Sequence, residues 1–300
     1  MRPVFAKRWV GCIAPVLLAV LGAFAIPDAA SACSGRLAGA VNVDATYAPF
    51  QALDTAKEFS LTVQNTGGAE CIFWLGAQRL IAGAEAGPLN FELRGRDATW
   101  SSTAAASLTG PVWLASRRLA PNESYDFALV LAVPAGQVLP PGDYVNTFEA
   151  KLHAAPETRP PESAEQLPPR TLRLSVAVAA HLSINIAGAG LRKTIDFGEL
   201  TEGERKQVRI ETRGNQRFQL DVLSLNGGVL AMAPPYETSR VPYAMVLDGK
   251  AMKLPGTVGP FAGTGLAGSQ FDVEFTIGDV LHKRAGLYRD EVTIEIRPAI

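Results

Sequence analysis

The chain has 300 residues, and its 28 lysines and arginines nearly balance its 29 aspartates and glutamates, giving a net charge of −1. The basic residues are scattered along the chain, whereas a nucleic-acid-binding protein normally presents a basic stripe or patch. Charge therefore argues against a nucleic-acid partner. About 270 residues remain after removal of an export signal, and that length suits two domains of ordinary size.

The first residues have the pattern of an export signal. Arg2 and Lys7 give a basic start, residues 13–26 form an apolar run, and Ala30-Ser31-Ala32 is a small-x-small cleavage signal. The apolar run is shorter than the roughly 20 residues that a membrane-spanning helix needs. Residues 1–32 are therefore predicted to be a signal peptide that is removed on export.

Export places the mature chain in a compartment where disulfides persist. Cys12 leaves with the signal peptide, so Cys33 and Cys71 remain. Two cysteines in an oxidising compartment most simply pair. The alternatives are two unrelated thiols, or a lipidated Cys33 beside a free Cys71. A disulfide would close a loop of about 40 residues and contribute about 3–4 kcal/mol in the chain-entropy treatment.

Short alternating segments bounded by turn signals follow along the chain. Phe59-Leu61-Val63 alternates with polar residues and ends at Asn65-Thr66-Gly67-Gly68, and Leu89-Phe91-Leu93 alternates up to Gly95. Short strands with regular turn signals favour an antiparallel β-sandwich.

Two stretches of the chain repeat each other in strict register. Each has four alternating apolar residues followed, eleven positions later, by a tyrosine. These sets are Phe127, Leu129, Leu131, Val133 with Tyr144, and Phe271, Val273, Phe275, Ile277 with Tyr288. The offset is 288 − 144 = 144 residues, far longer than the 20–50 residues of a solenoid repeat. The repeat predicts a duplicated β-domain.

A proline-rich segment separates the two copies in the sequence. Pro160-Pro161 and Pro168-Pro169 stand among glutamates, and such a segment is expected to be extended and solvated. The predicted domains are residues 33–155 and 171–300, with a linker at 156–170. The second domain is expected to begin with the alternating strand that contains Leu172, Leu174, Val176 and Val178.

Several motifs resemble those of spore coat protein U domains. In the first copy these are Tyr47-Ala48-Pro49-Phe50, Asn65-Thr66-Gly67-Gly68 before Cys71, Leu89-Asn90-Phe91-Glu92-Leu93 before Trp100, Val133-Pro134-Ala135-Gly136 and Pro140-Pro141-Gly142-Asp143-Tyr144. The second copy keeps a fainter version, Asp196-Phe197-Gly198 and Ala285-Gly286-Leu287-Tyr288-Arg289-Asp290. The resemblance covers most of the mature chain, although the second copy lacks the cysteines.

That family includes subunits of archaic chaperone–usher pili, and a two-domain chain resembles their tip adhesin. The resemblance implies two tandem antiparallel immunoglobulin-like β-sandwiches, of which at least the second lacks one strand. An open sandwich exposes strand-edge groups and core, and a strand donated by a neighbour covers both. The implied partners are a periplasmic chaperone, an outer-membrane usher and a neighbouring pilin subunit that donates the strand.

The same resemblance implies a place for this chain in the fibre. A donating subunit needs a free N-terminal extension. If cleavage follows Ala32 and Cys33 is tied to Cys71, no extension is left to donate. The chain is therefore expected at the pilus tip, on the cell surface, after passage through the periplasm.

A tip subunit needs an adhesive surface, and the segment between Gly76 and Leu119 is the least family-like part of the first copy. Apolar residues on its loops are candidates for contact with a surface or a host receptor. The candidates are Leu80, Ile81, Trp100, Leu108, Val112 and Trp113. The alternative for the two tryptophans is packing onto the sandwich core.

The sequence offers little for catalysis. His153, His181 and His282 are far apart and have no ligand-spaced partner, whereas a metal site usually needs a cluster. No serine has a Gly-x-Ser-x-Gly context. We expect no metal, no cofactor and no enzyme activity. The competing interpretations are a periplasmic pilus-assembly chaperone and a free-standing secreted β-sandwich that binds carbohydrate or a surface.

Overall fold

The computed structural model describes residues 33–79, 88–90, 92–96, 101–102, 113–158, 164–234 and 238–299. Every regular element in these ranges is a β-strand, and the strands form facing sheets, so the predicted all-β sandwich fold is confirmed. None of the described residues belong to a helix with the length and hydropathy of a membrane span.

The described part of the first sandwich contains ten strands in two sheets. The strands are β1 Gly35–Gly39, β2 Asn42–Tyr47, β3 Thr55–Asn65, β4 Ile72–Arg79, β5 Glu92–Gly95, β6 Ser101–Ser102, β7 Leu114–Ala115, β8 Ser124–Val133, β9 Gly142–Ala155 and β10 Glu165–Val178. One sheet has the order β1-β3-β8-β5-β6, and the other has the order β2-β10-β9-β4-β7. Alternate residues of these strands face a common core that includes Leu61, Phe127 and Phe148, all buried.

Strand β10 corrects the predicted domain boundary. It pairs antiparallel with β9 and parallel with β2, and its Leu172, Leu174 and Val176 are fully buried in the first core. The prediction that residues 165–170 belong to a solvated linker is wrong, as is the prediction that the second domain begins at residue 171. Pro168 and Pro169 fit inside the strand because the register shifts between Leu167 and Arg170, and such a bulge tolerates residues without an N–H.

Ten strands likewise form the described part of the second sandwich. They are β11 Leu182–Ile186, β12 Arg205–Gly214, β13 Phe218–Ser224, β14 Val229–Met232, β15 Arg240–Leu247, β16 Lys250–Met252, β17 Gly256–Phe261, β18 Ser269–Ile277, β19 Tyr288–Arg289 and β20 Val292–Pro298. One sheet has the order β11-β12-β18-β15-β14-β19, with β16 paired to β15, and the other has the order β17-β13-β20.

The two tyrosines of the sequence repeat occupy the same position in each sandwich. The Tyr144 hydroxyl donates to the Pro140 carbonyl at 2.9 Å, and the Tyr288 hydroxyl donates to the Arg284 carbonyl at 2.8 Å. Both bonds span four residues, as in the tyrosine corner that precedes the sixth strand of immunoglobulin-like sandwiches. Tyr144 lies near the start of β9 and Tyr288 lies in β19, just before β20, so by the 144-residue offset β9 and β20 are equivalent to each other.

A buried amide joins the two sandwiches. The Asn215 side chain is 4% exposed; its nitrogen donates at 2.9 Å to both the Leu139 carbonyl of the first sandwich and the Ala179 carbonyl of the connection. Its oxygen accepts from the His181 backbone N–H at 2.8 Å. One N–H of this amide is therefore directed at the first sandwich and the other at the short connection between the sandwiches.

Candidate strand-acceptor site

Strand β20 is paired on one side, whereas its equivalent in the first sandwich is paired on both. Strand β9 lies between β4 and β10, and β20 pairs with β13. Within the described ranges, no strand of the second sandwich takes the place that β10 has in the first. The outer edge of β20 is therefore an open sheet edge, which can accept a further strand.

The ladder between β13 and β20 shows which backbone groups face that open edge. The Ala299 N–H donates to the Arg217 carbonyl at 3.0 Å, and the Leu225 N–H donates to the Glu291 carbonyl at 2.9 Å. In an antiparallel pair, alternate residues direct both backbone groups at the partner. The odd-numbered residues of β20 therefore face β13, and Val292, Ile294 and Ile296 direct their N–H and C=O groups outward.

Pro298 sets one limit of this edge. It has the same outward phase as Ile296, but it has no N–H to offer. An added strand can therefore form a full ladder along residues 292–296. Next to the first sandwich, however, β20 offers that strand a carbonyl group without an N–H.

The side chains beside the open edge are incompletely covered. By the 144-residue offset, Val292, Ile294 and Ile296 correspond to Phe148, Ala150 and Leu152 of the first sandwich. The latter three are at most 2% exposed, whereas the former three are half-buried. Ile184 and Ile186 of β11, which also pack against the second core, are half-buried as well. Together these five residues line an apolar groove between β11 and β20, called the acceptor groove below.

The outer face of β20 is charged. The Arg297 guanidinium donates to the Glu295 carboxylate at 2.5 Å and lies 3.2 Å from the Asp221 carboxylate of β13. The hydrogen bond to Glu295 and then the two negative charges raise the pKa of Arg297. Because the Arg297 and Glu295 side chains are exposed, the pair between them contributes little to stability. The apolar and charged faces of β20 are thus separated.

A hydrogen-bonded cluster holds the start of β20. The Asp290 carboxylate accepts from the hydroxyls of Ser224 and Tyr243, each at 2.6 Å, and from the Asn226 backbone N–H at 3.0 Å. Burial, followed by the hydrogen bond to Asp290, raises the pKa of Tyr243, so its hydroxyl stays protonated as a donor. The cluster fixes the end of the acceptor groove farthest from the first sandwich.

The first sandwich closes the corresponding groove with its own chain. Strand β10 fills it, and the Arg170 guanidinium donates to the carbonyls of Leu37 at 2.8 Å and Gly39 at 3.2 Å in the opposite sheet. The predicted Cys33–Cys71 disulfide is present, with both cysteines buried and their Cα atoms 5.8 Å apart. Within the described residues, β10 therefore fills the corresponding groove of this sandwich, and the disulfide ties Cys33 to the residue before β4.

Of the candidate adhesive residues, the structure describes Trp113. Leu80, Ile81, Trp100, Leu108 and Val112 lie outside the described residues. Trp113 is half-buried and packs on Trp74 and Ile72; its ring lies over Gly76, where a Cβ atom would come within 2.7 Å of it. That placement matches the packing alternative for this tryptophan, and an adhesive role for the other five stays a prediction.

The three histidines lie in separate places. The His153 ring lies edge-on to the Trp113 ring, with 4.6 Å between ring centroids. The His181 ring lies near the connection, with its centroid 4.8 Å from that of Phe50, and His282 lies in the β18–β19 loop. Across the described ranges, no three histidine, cysteine or carboxylate side chains come together as metal ligands would.

Comparison with known proteins finds solved structures that are similar to this chain. No protein-family model matches the chain, and no curated protein matches it in sequence. A chain of the CsuC–CsuE chaperone–tip adhesion subunit complex from archaic chaperone–usher Csu pili of Acinetobacter baumannii is 15% identical with a TM-score of 0.45, covering 87% of this chain and 99% of that one. The CupB6 tip adhesin of Pseudomonas aeruginosa is 11% identical with a TM-score of 0.40, covering 88% and 95%. The enterotoxigenic Escherichia coli adhesin CfaE is 10% identical with a TM-score of 0.36, covering 87% and 93%.

Proposed function

We propose that this protein is an exported structural and adhesive subunit of a chaperone–usher pilus. A neighbouring subunit joins it to the fibre by adding a β-strand to the acceptor groove. The observation that carries the proposal is the open edge of β20 above half-buried core residues. Such an edge favours aggregation unless another strand covers it, and an added strand supplies both the missing ladder and the missing apolar side chains.

The two sandwiches divide the work in this proposal. The first is closed by β10 and needs no partner strand, so it is free to present an adhesive surface. The second carries the acceptor groove and links the subunit to the fibre. Before assembly, a periplasmic chaperone covers the groove, and an outer-membrane usher exchanges that chaperone for the neighbouring pilin.

The position at the tip rests on the N-terminus. With cleavage after Ala32, the mature chain begins at Cys33, which is buried and bonded to Cys71. Such a chain accepts a strand but has no extension to donate, so further subunits attach at one end alone. The motifs shared with spore coat protein U domains support the same role.

The chain itself supplies a strand for testing the groove. A copy of residues 171–178, which close the first sandwich as part of β10, is appended after Ile300 through a short glycine-rich turn. Because β10 runs antiparallel to β9, the copy is placed to run antiparallel to β20. We expect the extended protein to be monomeric and its second sandwich to resist unfolding more strongly than in the natural chain.

The matched control appends the same segment with serine in place of its four inward apolar residues. This control keeps length, turn and backbone but supplies no core, so it should leave stability unchanged. A natural chain that is already monomeric and gains nothing from the apolar copy would refute the proposal and favour a free-standing secreted module.

A further inference from the structure

Three strongly exposed leucines lie in the second sandwich just beyond the ends of strands. Leu225, Leu281 and Leu287 are 77%, 66% and 56% exposed. Scattered single apolar residues on a surface are ordinary, whereas several together mark an interaction site. Whether these leucines mark an interaction site therefore depends on whether they lie at the same end of the sandwich.

All three lie at the end of the second sandwich that is farthest from the first. Strand β13 begins near the connection and ends just before Leu225, whose N–H donates to the Glu291 carbonyl at 2.9 Å. Strand β18 likewise begins near the connection, and Leu281 and Leu287 lie in the loop that follows its far end. This end, defined by the three leucines, is called the distal pole below.

The acceptor groove ends at the same pole. Strand β20 starts there at Val292, beside the Asp290 cluster, and finishes at Pro298 next to the first sandwich. The first sandwich occupies the space beyond Pro298, because Asn215 holds it against that end. A strand that enters the groove from a folded partner must therefore have the body of that partner at the distal pole.

The geometry points to the distal pole as the docking surface for the folded domain of the subunit that donates its strand. This inference rests on the proposed function and adds a second contact to it. The donated extension then runs from the first sandwich towards the pole, antiparallel to β20, and continues directly into the domain that covers the three leucines. Strand and body together form one continuous interface.

The pole carries charges of both signs beside the leucines. Lys283 stands two residues after Leu281, and Asp279 stands two residues before it, where its carboxylate accepts from the Leu281 N–H at 2.8 Å. A complementary surface is apolar at its centre with a polar rim, as in other protein interfaces.

Photo-crosslinking in native fibres tests this contact with the full-length protein. Benzoylphenylalanine replaces Thr293, on the exposed face of β20, in one variant and Leu281 in a second. A third variant places it at Leu53, which is 78% exposed in the first sandwich and serves as the control. After irradiation, mass spectrometry maps each crosslinked peptide.

We expect the Thr293 probe to capture the N-terminal extension of a pilin and the Leu281 probe to capture the folded domain of that same polypeptide. The Leu53 probe should capture neither. Capture at Thr293 together with no crosslink, an usher crosslink or a lipid crosslink at Leu281 would overturn the docking surface and leave the proposed function standing. No capture at Thr293 would overturn both.

A pair of leucine variants gives an independent measurement. Leu281→Ser with Leu287→Ser leaves the acceptor groove intact, so fibres should still assemble, but they should release this subunit in denaturant about tenfold faster than the natural protein. The control Leu53→Ser should release it at the natural rate. Equal release from both variants would contradict the docking surface.

Discussion

Truncation of equivalent residues in the two sandwiches tests whether the second core is open. Leu152 and Ile296 occupy the same position of the 144-residue repeat, but Leu152 is 1% exposed and Ile296 is half-buried. Leu152→Ala removes fully buried methyl groups and should lower the free energy of unfolding of the first sandwich by about 2–5 kcal/mol. Ile296→Ala removes groups already in contact with water and should cost about 1–2 kcal/mol in the natural chain.

Closing the groove should raise the cost of Ile296→Ala and leave the cost of Leu152→Ala unchanged. When the appended copy of residues 171–178 covers Ile296, the cost of Ile296→Ala should rise to about 2–5 kcal/mol, because the side chain is then fully enclosed. Hydrogen exchange followed by mass spectrometry in increasing denaturant measures both sandwiches separately, through peptides of β9 and β20. Equal costs for Leu152→Ala and Ile296→Ala in the natural chain would refute the reasoning.

Four further predictions concern the contacts that hold the fold. Reduction of Cys33–Cys71 should lower the free energy of unfolding of the first sandwich by about 3 kcal/mol. Tryptophan fluorescence reports on the first sandwich, because no tryptophan follows residue 113. An unchanged unfolding midpoint would contradict a stabilising role of the disulfide. Asn215→Ala should leave both sandwiches folded but widen the distribution of distances between them, measured with spin labels on each; an unchanged distribution would show that Asn215 does not hold the connection. Tyr288→Phe should lower the free energy of unfolding of the second sandwich by about 1 kcal/mol, and Tyr144→Phe should lower that of the first by a similar amount. No change for either variant would show that the tyrosine corners do not stabilise the sandwiches. The hydrogen bond from the Ala120 N–H, followed by Arg117, lowers the pKa of the Glu123 carboxyl. The stabilisation that Glu123 provides is therefore present above its pKa in the unfolded chain and is lost as the pH falls through its pKa in the folded protein. Glu123→Gln should make the free energy of unfolding less dependent on pH in the acid range, and an unchanged dependence would contradict this.

The sequence repeat predicted more of the architecture than single strands did. The alternation in Phe127–Val133 and Phe271–Ile277, followed by tyrosines at a fixed distance, predicted two equivalent strands. The structure adds that both tyrosines make the hydrogen bond of a tyrosine corner. A repeated pattern constrains both copies together, whereas an isolated alternating segment gives only a strand. The cysteine pair was also predictable, because removal of the predicted signal peptide leaves two cysteines and a disulfide satisfies both.

The domain boundary could not be found in the same way. Leu172, Leu174 and Val176 predict a strand, but alternation does not say which of two adjacent sandwiches buries its apolar face. Paired prolines suggested a linker, and the bulge between Leu167 and Arg170 that accommodates them depends on pairing with β9. The acceptor groove was predicted for the second copy in general, whereas its position along β20 required the hydrogen-bond phase of the ladder with β13.

Amide hydrogen exchange along β20, measured by NMR residue by residue in the natural chain, tests the central claim most directly. The open edge predicts rapid exchange at Ile294 and Ile296, whose N–H groups face outward, and slow exchange at Thr293, Glu295 and Arg297, whose N–H groups face β13. Uniformly slow exchange across all five residues would mean that a strand already covers the edge, and it would contradict the account.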